Sequence, residues 1–334
     1  PANAPRFRGA VCSLLVLATT VNYIDRQILG ILAAPLQSER GWSEAQYGLI
    51  VTSCQVAYAI GLLSFGRVID LAGTRLGYAL AVGLWSLAAA AHGFVRSAAG
   101  FAGARFMLGL GQAGNFPAAV KATGEWFAPN ERALAAGLFN SGSTVGAILT
   151  PLLVPWIALR FGWQNAFIVT GLFGLLWIPL WLSLYRRPGP FACASTSSSE
   201  TGWLKLLAYR QTWALLIARF LTDPVWWFYL FWGPKFLQSR FGLTLDRIGP
   251  PLVAIYLLSN AGGLLGGWLP SLLLERGFSL SAARKLSILA CALLVVPVSF
   301  VTLVPDAWTA ALLIGLAAAG HQGWASNLFA AIAD

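Results

Sequence analysis

The chain has 334 residues, of which 57% are hydrophobic and 10% charged, against about 25% charged in an average soluble domain. That leaves too few polar side chains to coat a water-facing globule, and a mean hydropathy of +0.70 points to lipid as the solvent. The net charge is +10, but the basic residues are scattered and form no nucleic-acid footprint; Cys12, Cys54, Cys193 and Cys291 lie too far apart for metal-ligand spacing.

An apolar stretch of about 20 residues crosses the hydrocarbon core as a helix, the open-chain structure that satisfies its own backbone there. Ten such stretches are predicted, at 9–36, 45–66, 76–94, 99–121, 132–158, 164–185, 212–237, 248–274, 285–304 and 307–333. The predicted fold class is therefore all-α and integral to the membrane, with Pro151, Pro155, Pro179, Pro224 and Pro297 tolerated inside helices.

The first stretch carries "VNYIDRQILG" (21–30). Asp25 and Arg26 stand near its middle, where a charge costs at least ~2.5–3.5 kcal/mol and is a functional candidate by default. On a helix the two point about 100° apart, so each needs a partner on another helix or a wet cavity. With Asn22 they make one polar stripe. Between the second and third stretches lies "GRVIDLAGTRLG" (66–77), read as a loop. Its glycines allow a tight turn, and Asp70 can meet a basic residue or a helix N-terminus.

The fourth stretch carries "ARFMLGLGQAGNFPAAVKATGEWF" (104–127), in which Arg105 and Gln112 are seven apart. Two turns put them on one face about 10 Å apart along the axis. In the fifth, Gly142 and Gly146 form a small-xxx-small face for close helix contact. "RRPGPFACASTSSSETG" (186–202) is polar and reads as a linker, dividing the chain into 1–185, a linker over 186–211, and 212–334. On the seventh stretch Arg219 and Asp223 are four apart and can pair; the rings of "WWFYLFW" (226–232) suit lipid or the interface. The eighth-to-ninth connection, 266–285, echoes the first loop through Gly267, Gly277 and Arg284. The tenth holds a polar cluster of His321, Gln322, Trp324, Ser326 and Asn327. A cytoplasmic N-terminus puts 13 basic residues inside, 6 outside, and leaves Arg26, Arg105 and Arg219 at membrane depth.

Gly66, Asp70, Gly73 and Arg75 match the G-x-x-x-D-x-x-G-x-R loop of the major facilitator superfamily, and Arg105, Gly109 and Gly111 match its R-x-x-x-G-x-G pattern. "NYIDRQ", "YGLIVTSCQVAYAIG", "FPAAVKATGEWF", "ERALAAGLFNSGSTVGAILTP", "LTDPVWWFYLFWGPKF" and "AGHQGW" look like its anion:cation symporter branch, most of all hexuronate (glucuronate/galacturonate) transporters, over essentially the whole chain.

The resemblance implies a secondary active transporter, not an enzyme. It would take up a sugar acid with protons by alternating access, through a central cavity between two six-helix halves. It implies no cofactor beyond the coupling proton, a bacterial inner membrane, a monomer, and twelve helices, so that the chain reads as stopping before the last two. Arg26 and Arg105 would hold the substrate carboxylate, whose geometry a guanidinium fork fits. Asp25 would carry the proton, since a carboxyl removed from water holds one more readily. Tyr23 and Tyr58 match hydroxyl-bearing cavity positions. Arg219 adds a third cationic contact, or steadies its helix by pairing with Asp223. Gln322, Trp324, Ser326 and Asn327 would meet sugar hydroxyls. His321 can titrate near neutrality, though a lone histidine more often packs. Gly66, Asp70, Gly73 and Arg75 would serve gating.

The chain departs from the family at Gln112, where the family has a protonatable Glu; a glutamine bonds but carries no proton. That leaves Asp25 as the one proton site, or an exchanger or uniporter. Other readings stay open: a carrier of another organic anion, such as an aldonate or aromatic acid, or a ligand sensor on the same fold. A membrane enzyme would need a catalytic set at a membrane face, whereas the 12 acidic residues fall mostly in loops and the two histidines lie far apart.

Overall fold

The computed structural model describes residues 4–185 and 207–333. Among these residues the helices are α1 (Ala4–Ile31), α2 (Ala33–Arg40), α3 (Glu44–Ala91), α4 (Ala98–Gln112), α5 (Asn115–Trp126), α6 (Arg132–Phe161), α7 (Trp163–Leu184), α8 (Arg210–Phe241), α9 (Gly249–Glu275), α10 (Leu280–Leu293) and α11 (Ala307–Ala333), with a 3-10 turn at Val296–Phe300. Among the described residues seven helical segments are long and apolar enough to cross a membrane. Cys193 and most of the expected linker lie outside the described residues.

Three expected spans are interrupted, and one rule accounts for all three. Proline has no N–H to give the carbonyl four residues earlier, and its ring crowds that carbonyl. Four before Pro35 is Ile31, the last residue of α1. Four before Pro117 is Ala113, in the gap between α4 and α5. Four before Pro297 is Leu293, the last residue of α10. The stretches 9–36, 99–121 and 285–304 are thus corrected to broken helices. Pro297 is not inside an α-helix but in the 3-10 turn, whereas Pro151, Pro155, Pro179 and Pro224 do sit within helices.

The expected loop at 66–77 is also corrected. Helix α3 runs 48 residues, through Gly66 and Asp70, and only Gly73 leaves helical geometry, at φ 75° and ψ 159°. Side-chain-bearing residues avoid that region, so a single glycine turns one span into the next.

The chain divides into two compact units, Pro1–Ser198 and Ser199–Asp334. In the first, α3 packs on α4, α5 and α7, and α1 on α6 and α7. At Gly146 a Cβ would stand 2.7 Å from the Thr20 carbonyl oxygen and 2.9 Å from the Tyr23 Cβ, so α6 approaches α1 as closely as a bare backbone permits. The core centres on Tyr78, Trp85, Trp177 and Trp181. Trp177 and Trp181 stack with centroids 5.0 Å apart, and each indole satisfies its N–H on a carbonyl, of Leu14 and Arg75 respectively, at 2.9 Å.

In the second unit α11 packs on α8, α9 and α10. The two units share a backbone pattern expected of an internal repeat. Gly41 and Gly242 close α2 and α8 at φ 65° each, and Gly73 and Gly277 turn the next connection at φ 75° and 86°.

Candidate functional site

The first unit contains a small polar recess of about 50 Å³. Helix α1 contributes Thr19, Asn22, Tyr23 and Arg26; α3 brings Tyr58, α4 Gln112, α5 Asn115 and α6 Asn140. Arg26 is 6% exposed. Its Nε donates to Gln112 Oε1 at 3.2 Å and its Nη2 to Asn22 Oδ1 at 3.4 Å. The guanidinium carbon lies 4.7 Å from the Tyr58 ring centroid and 5.3 Å from that of Tyr23, within cation–π range. Gln112 Nε2 donates to the Asn22 carbonyl at 3.0 Å, and Asn22 Nδ2 to the Gln112 carbonyl at 3.5 Å. This amide pair ties α1 to the last residue of α4 and sets the direction of Arg26. These partners are neutral, so they orient the guanidinium without cancelling its charge.

Asp25 and Arg105 lie off the recess. Both are buried. Among the described residues neither Asp25 carboxylate oxygen accepts a hydrogen bond. Thr170 stands beside it, but the Thr170 hydroxyl is committed to the carbonyls of Ala166 and Phe167 at 3.1 and 3.2 Å. Arg105 Nη1 donates to the Asp25 carbonyl at 3.4 Å, and its Nε and Nη2 find no acceptor among the described residues. The two arginines expected to share one carboxylate are therefore placed differently: Arg26 opens on the recess and Arg105 is enclosed between α1 and α3. Gln112, read as sharing a face with Arg105, reaches the recess because it bonds Arg26.

The turn around Gly73 is clasped from two sides. Asp70 pairs with Lys121 at 2.6 Å, and Arg75 Nη2 donates to the Leu182 carbonyl at 2.7 Å. The Thr74 hydroxyl donates to buried Glu125 at 2.6 Å, and the Tyr185 hydroxyl donates to the same carboxylate. Sequence reasoning missed Glu125 and Tyr185, although "GEWF" carries an acid at the end of an apolar run.

In the second unit Arg219 Nη1 pairs with Asp223 Oδ1 at 2.9 Å. His321 Nε2 meets the Thr222 carbonyl at 3.0 Å, and its ring stacks on Trp226 at 6.0 Å; Trp324 lies 6.4 Å from the same ring. Gln322 and Ser326 share the face beside Gly263. Asn327 Nδ2 donates to the carbonyls of Gly266 and Gly323 at 2.7 and 2.9 Å, so its N–H groups bind α9 to α11. The cluster read on α11 is thus split between packing and a polar face.

The family model for the Major Facilitator Superfamily matches residues 15–334. The chain belongs to the Major Facilitator Superfamily. Like the superfamily's other members it is a multi-pass membrane transporter and not an enzyme. Among curated relatives of this superfamily chain, the galacturonate transporter of Dickeya chrysanthemi is 32% identical over 309 residues, covering 86% of this chain and 89% of that protein. The hexuronate transporter of Escherichia coli K12 is 30% identical, covering 98% and 80%, and a D-galactonate transporter of Escherichia coli is 30% identical, covering 88% and 75%. A crystal structure of a bacterial homologue of the human lysosomal transporter Spinster shares the superfamily fold at a TM-score of 0.81 and 20% identity, covering 97% of this chain and 74% of that one.

Proposed function

We propose that this transporter takes up a sugar acid of the hexuronate kind, such as glucuronate or galacturonate, coupled to protons and by alternating access. It would act as a monomer in a bacterial inner membrane, with the N-terminus cytoplasmic. The observation that carries this reading is Arg26, buried but opening on a polar recess, with two tyrosine rings and two amides around it. A guanidinium fork fits a carboxylate and keeps its proton; the amides and hydroxyls suit sugar hydroxyls. The printed activities of the relatives, galacturonate, hexuronate and D-galactonate transport, support the same substrate class.

Asp25 is the proposed proton carrier. Among the described residues no side chain donates a hydrogen bond to its carboxylate within bonding distance, and a buried charge without such bonds is costly. It adjoins Arg26 on α1, so protonation and anion binding act on one helix. Arg105, bonded to the Asp25 backbone, links that helix to α4, and Arg219, Gln322, Trp324 and Ser326 supply substrate contacts from the second unit. Gly66, Asp70, Gly73 and Arg75 form the gating turn. The recess, about 50 Å³, admits a carboxylate-sized group, since a cavity of about 10–15 Å³ already holds one water. A whole sugar acid requires its walls to part, and a ligand that binds two states differently drives such a change.

The test is uptake of labelled glucuronate into proteoliposomes under an inward proton gradient. Wild type accumulates substrate; Asp25→Asn loses gradient-driven accumulation and keeps counterflow exchange. Wild-type uptake indifferent to the gradient would overturn the coupling.

A further inference from the structure

Asn115 lines the same recess as Arg26, and it stands there because of a backbone break. It is the first residue of α5, two positions before Pro117, and it is buried. Its amide is held by a directed chain of hydrogen bonds. The Thr19 hydroxyl donates to the Leu15 carbonyl at 2.9 Å. The Thr19 oxygen is then left to accept, and it takes an N–H from Asn115 Nδ2 at 3.3 Å. At the other end Asn115 Oδ1 accepts from the Tyr78 hydroxyl at 2.7 Å, and Tyr78 is fixed in the aromatic core, edge-on to Trp177 and Trp181. The Thr19 end fixes which amide atom is nitrogen, and the Tyr78 hydroxyl then donates to the oxygen.

A carboxamide has two N–H donors and two lone pairs on oxygen. Thr19 and Tyr78 use one of each, so one donor and one acceptor are left to the recess. Gln112, which holds Arg26, lies three residues earlier, across the break between α4 and α5, and lines the same recess. The recess therefore pairs a cation with a neutral donor–acceptor group whose direction is set before any ligand arrives.

We infer that Asn115 is a specificity-determining residue, reading a hydroxyl of the ligand whose carboxylate Arg26 holds; this rests on the sugar-acid reading above. A hydroxyl both accepts and donates, so it complements the free N–H and the free lone pair together. A methylene in its place leaves a buried N–H unpaired, and a site built for a hydroxyl rejects such an analogue strongly. The preferred class is a hydroxylated monoacid over an unsubstituted acid of the same length.

The experiment is competition against labelled D-glucuronate on the purified protein in lipid nanodiscs, using D-glucuronate and hexanoate as competitors, for wild type, Asn115→Ala and Tyr78→Phe. Asn115→Ala is expected to weaken glucuronate about 10- to 100-fold, matching the loss of one or two buried hydrogen bonds, and to leave hexanoate within about threefold. Tyr78→Phe keeps the ring packing but frees the amide to turn, so it shows a smaller loss in the same direction, and it carries the test if the alanine variant does not fold. A glucuronate-to-hexanoate ratio equal to wild type in the folded variants overturns the inference alone. Wild type that binds no glucuronate overturns the sugar-acid reading and this inference with it.

Discussion

Arg26 sits among two rings and two amides, and each neighbour uses a different property of the guanidinium. The guanidinium carbon lies over both rings, and Gln112 and Asn22 each take a separate N–H. A lysine would keep the charge and lose the fork. Arg26→Lys is expected to weaken sugar-acid binding about 10- to 100-fold with the fold intact, read by calorimetry beside a thermal unfolding curve. Gln112→Glu replaces the amide that receives the Arg26 Nε with a titratable carboxylate. The expected outcome is uptake that depends more steeply on pH than in wild type, measured in proteoliposomes between pH 5 and 8; an unchanged profile argues against Asp25 as the one proton site. Asp25 and Arg26 were legible because charge at mid-bilayer is expensive wherever it occurs. Asn115 was not, since an asparagine beside Gly114 and Pro117 reads as turn chemistry and only the fold turns it toward Arg26.

The connection from one span to the next in α3 depends on Gly73 alone, and its stability depends on what clasps it. Gly73→Ala puts a side chain at φ 75° and ψ 159°, at a cost of about 1–3 kcal/mol, visible as a lower unfolding temperature in detergent. Glu125→Ala leaves the Thr74 and Tyr185 hydroxyls without their acceptor; an unpaired buried polar group costs about 1–3 kcal/mol, so the same assay should show a comparable loss. Gly146→Ala forces α6 away from Thr20 and Tyr23, and overpacking of this kind costs about 1–3 kcal/mol. Its effect should reach ligand binding as well, because Tyr23 lines the recess. Helix existence was readable from hydropathy throughout. The breaks at Pro35, Pro117 and Pro297 were not, because prolines inside α6, α7 and α8 leave those helices continuous and sequence does not say which prolines interrupt.

For the molecule as a whole, the proposal to decide is proton coupling. Many large apolar side chains are exposed along the helices, Leu71, Phe220 and Leu264 among them, as a bilayer solvent requires. Into that setting the chain places a buried carboxylate that accepts no hydrogen bond among the described residues and, one residue on, a guanidinium opening on a recess. If a proton on Asp25 is what couples transport, Asp25→Asn behaves as a permanently protonated form. It should bind glucuronate as wild type does and exchange it across the membrane, yet build no gradient. Retained gradient-driven accumulation in that variant would move the proton site elsewhere.

Composition determined that this protein lives in lipid, because a chain with 10% charged residues has too few polar side chains to face water, and apolar stretches of about 20 residues made its spans helices. Motif spacing placed a connection within 66–77, and the apolar stretches placed the charged residues at membrane depth. Tertiary structure decided which of those charges share a space. Arg26 and Arg105 look alike in sequence, but the recess receives Arg26 while Arg105 is enclosed against the Asp25 backbone and the Cys54 thiol. A helix period specifies a face and a height on one helix; which neighbour covers that face depends on how closely glycine-bearing surfaces let the helices approach, and that is a property of the packed bundle.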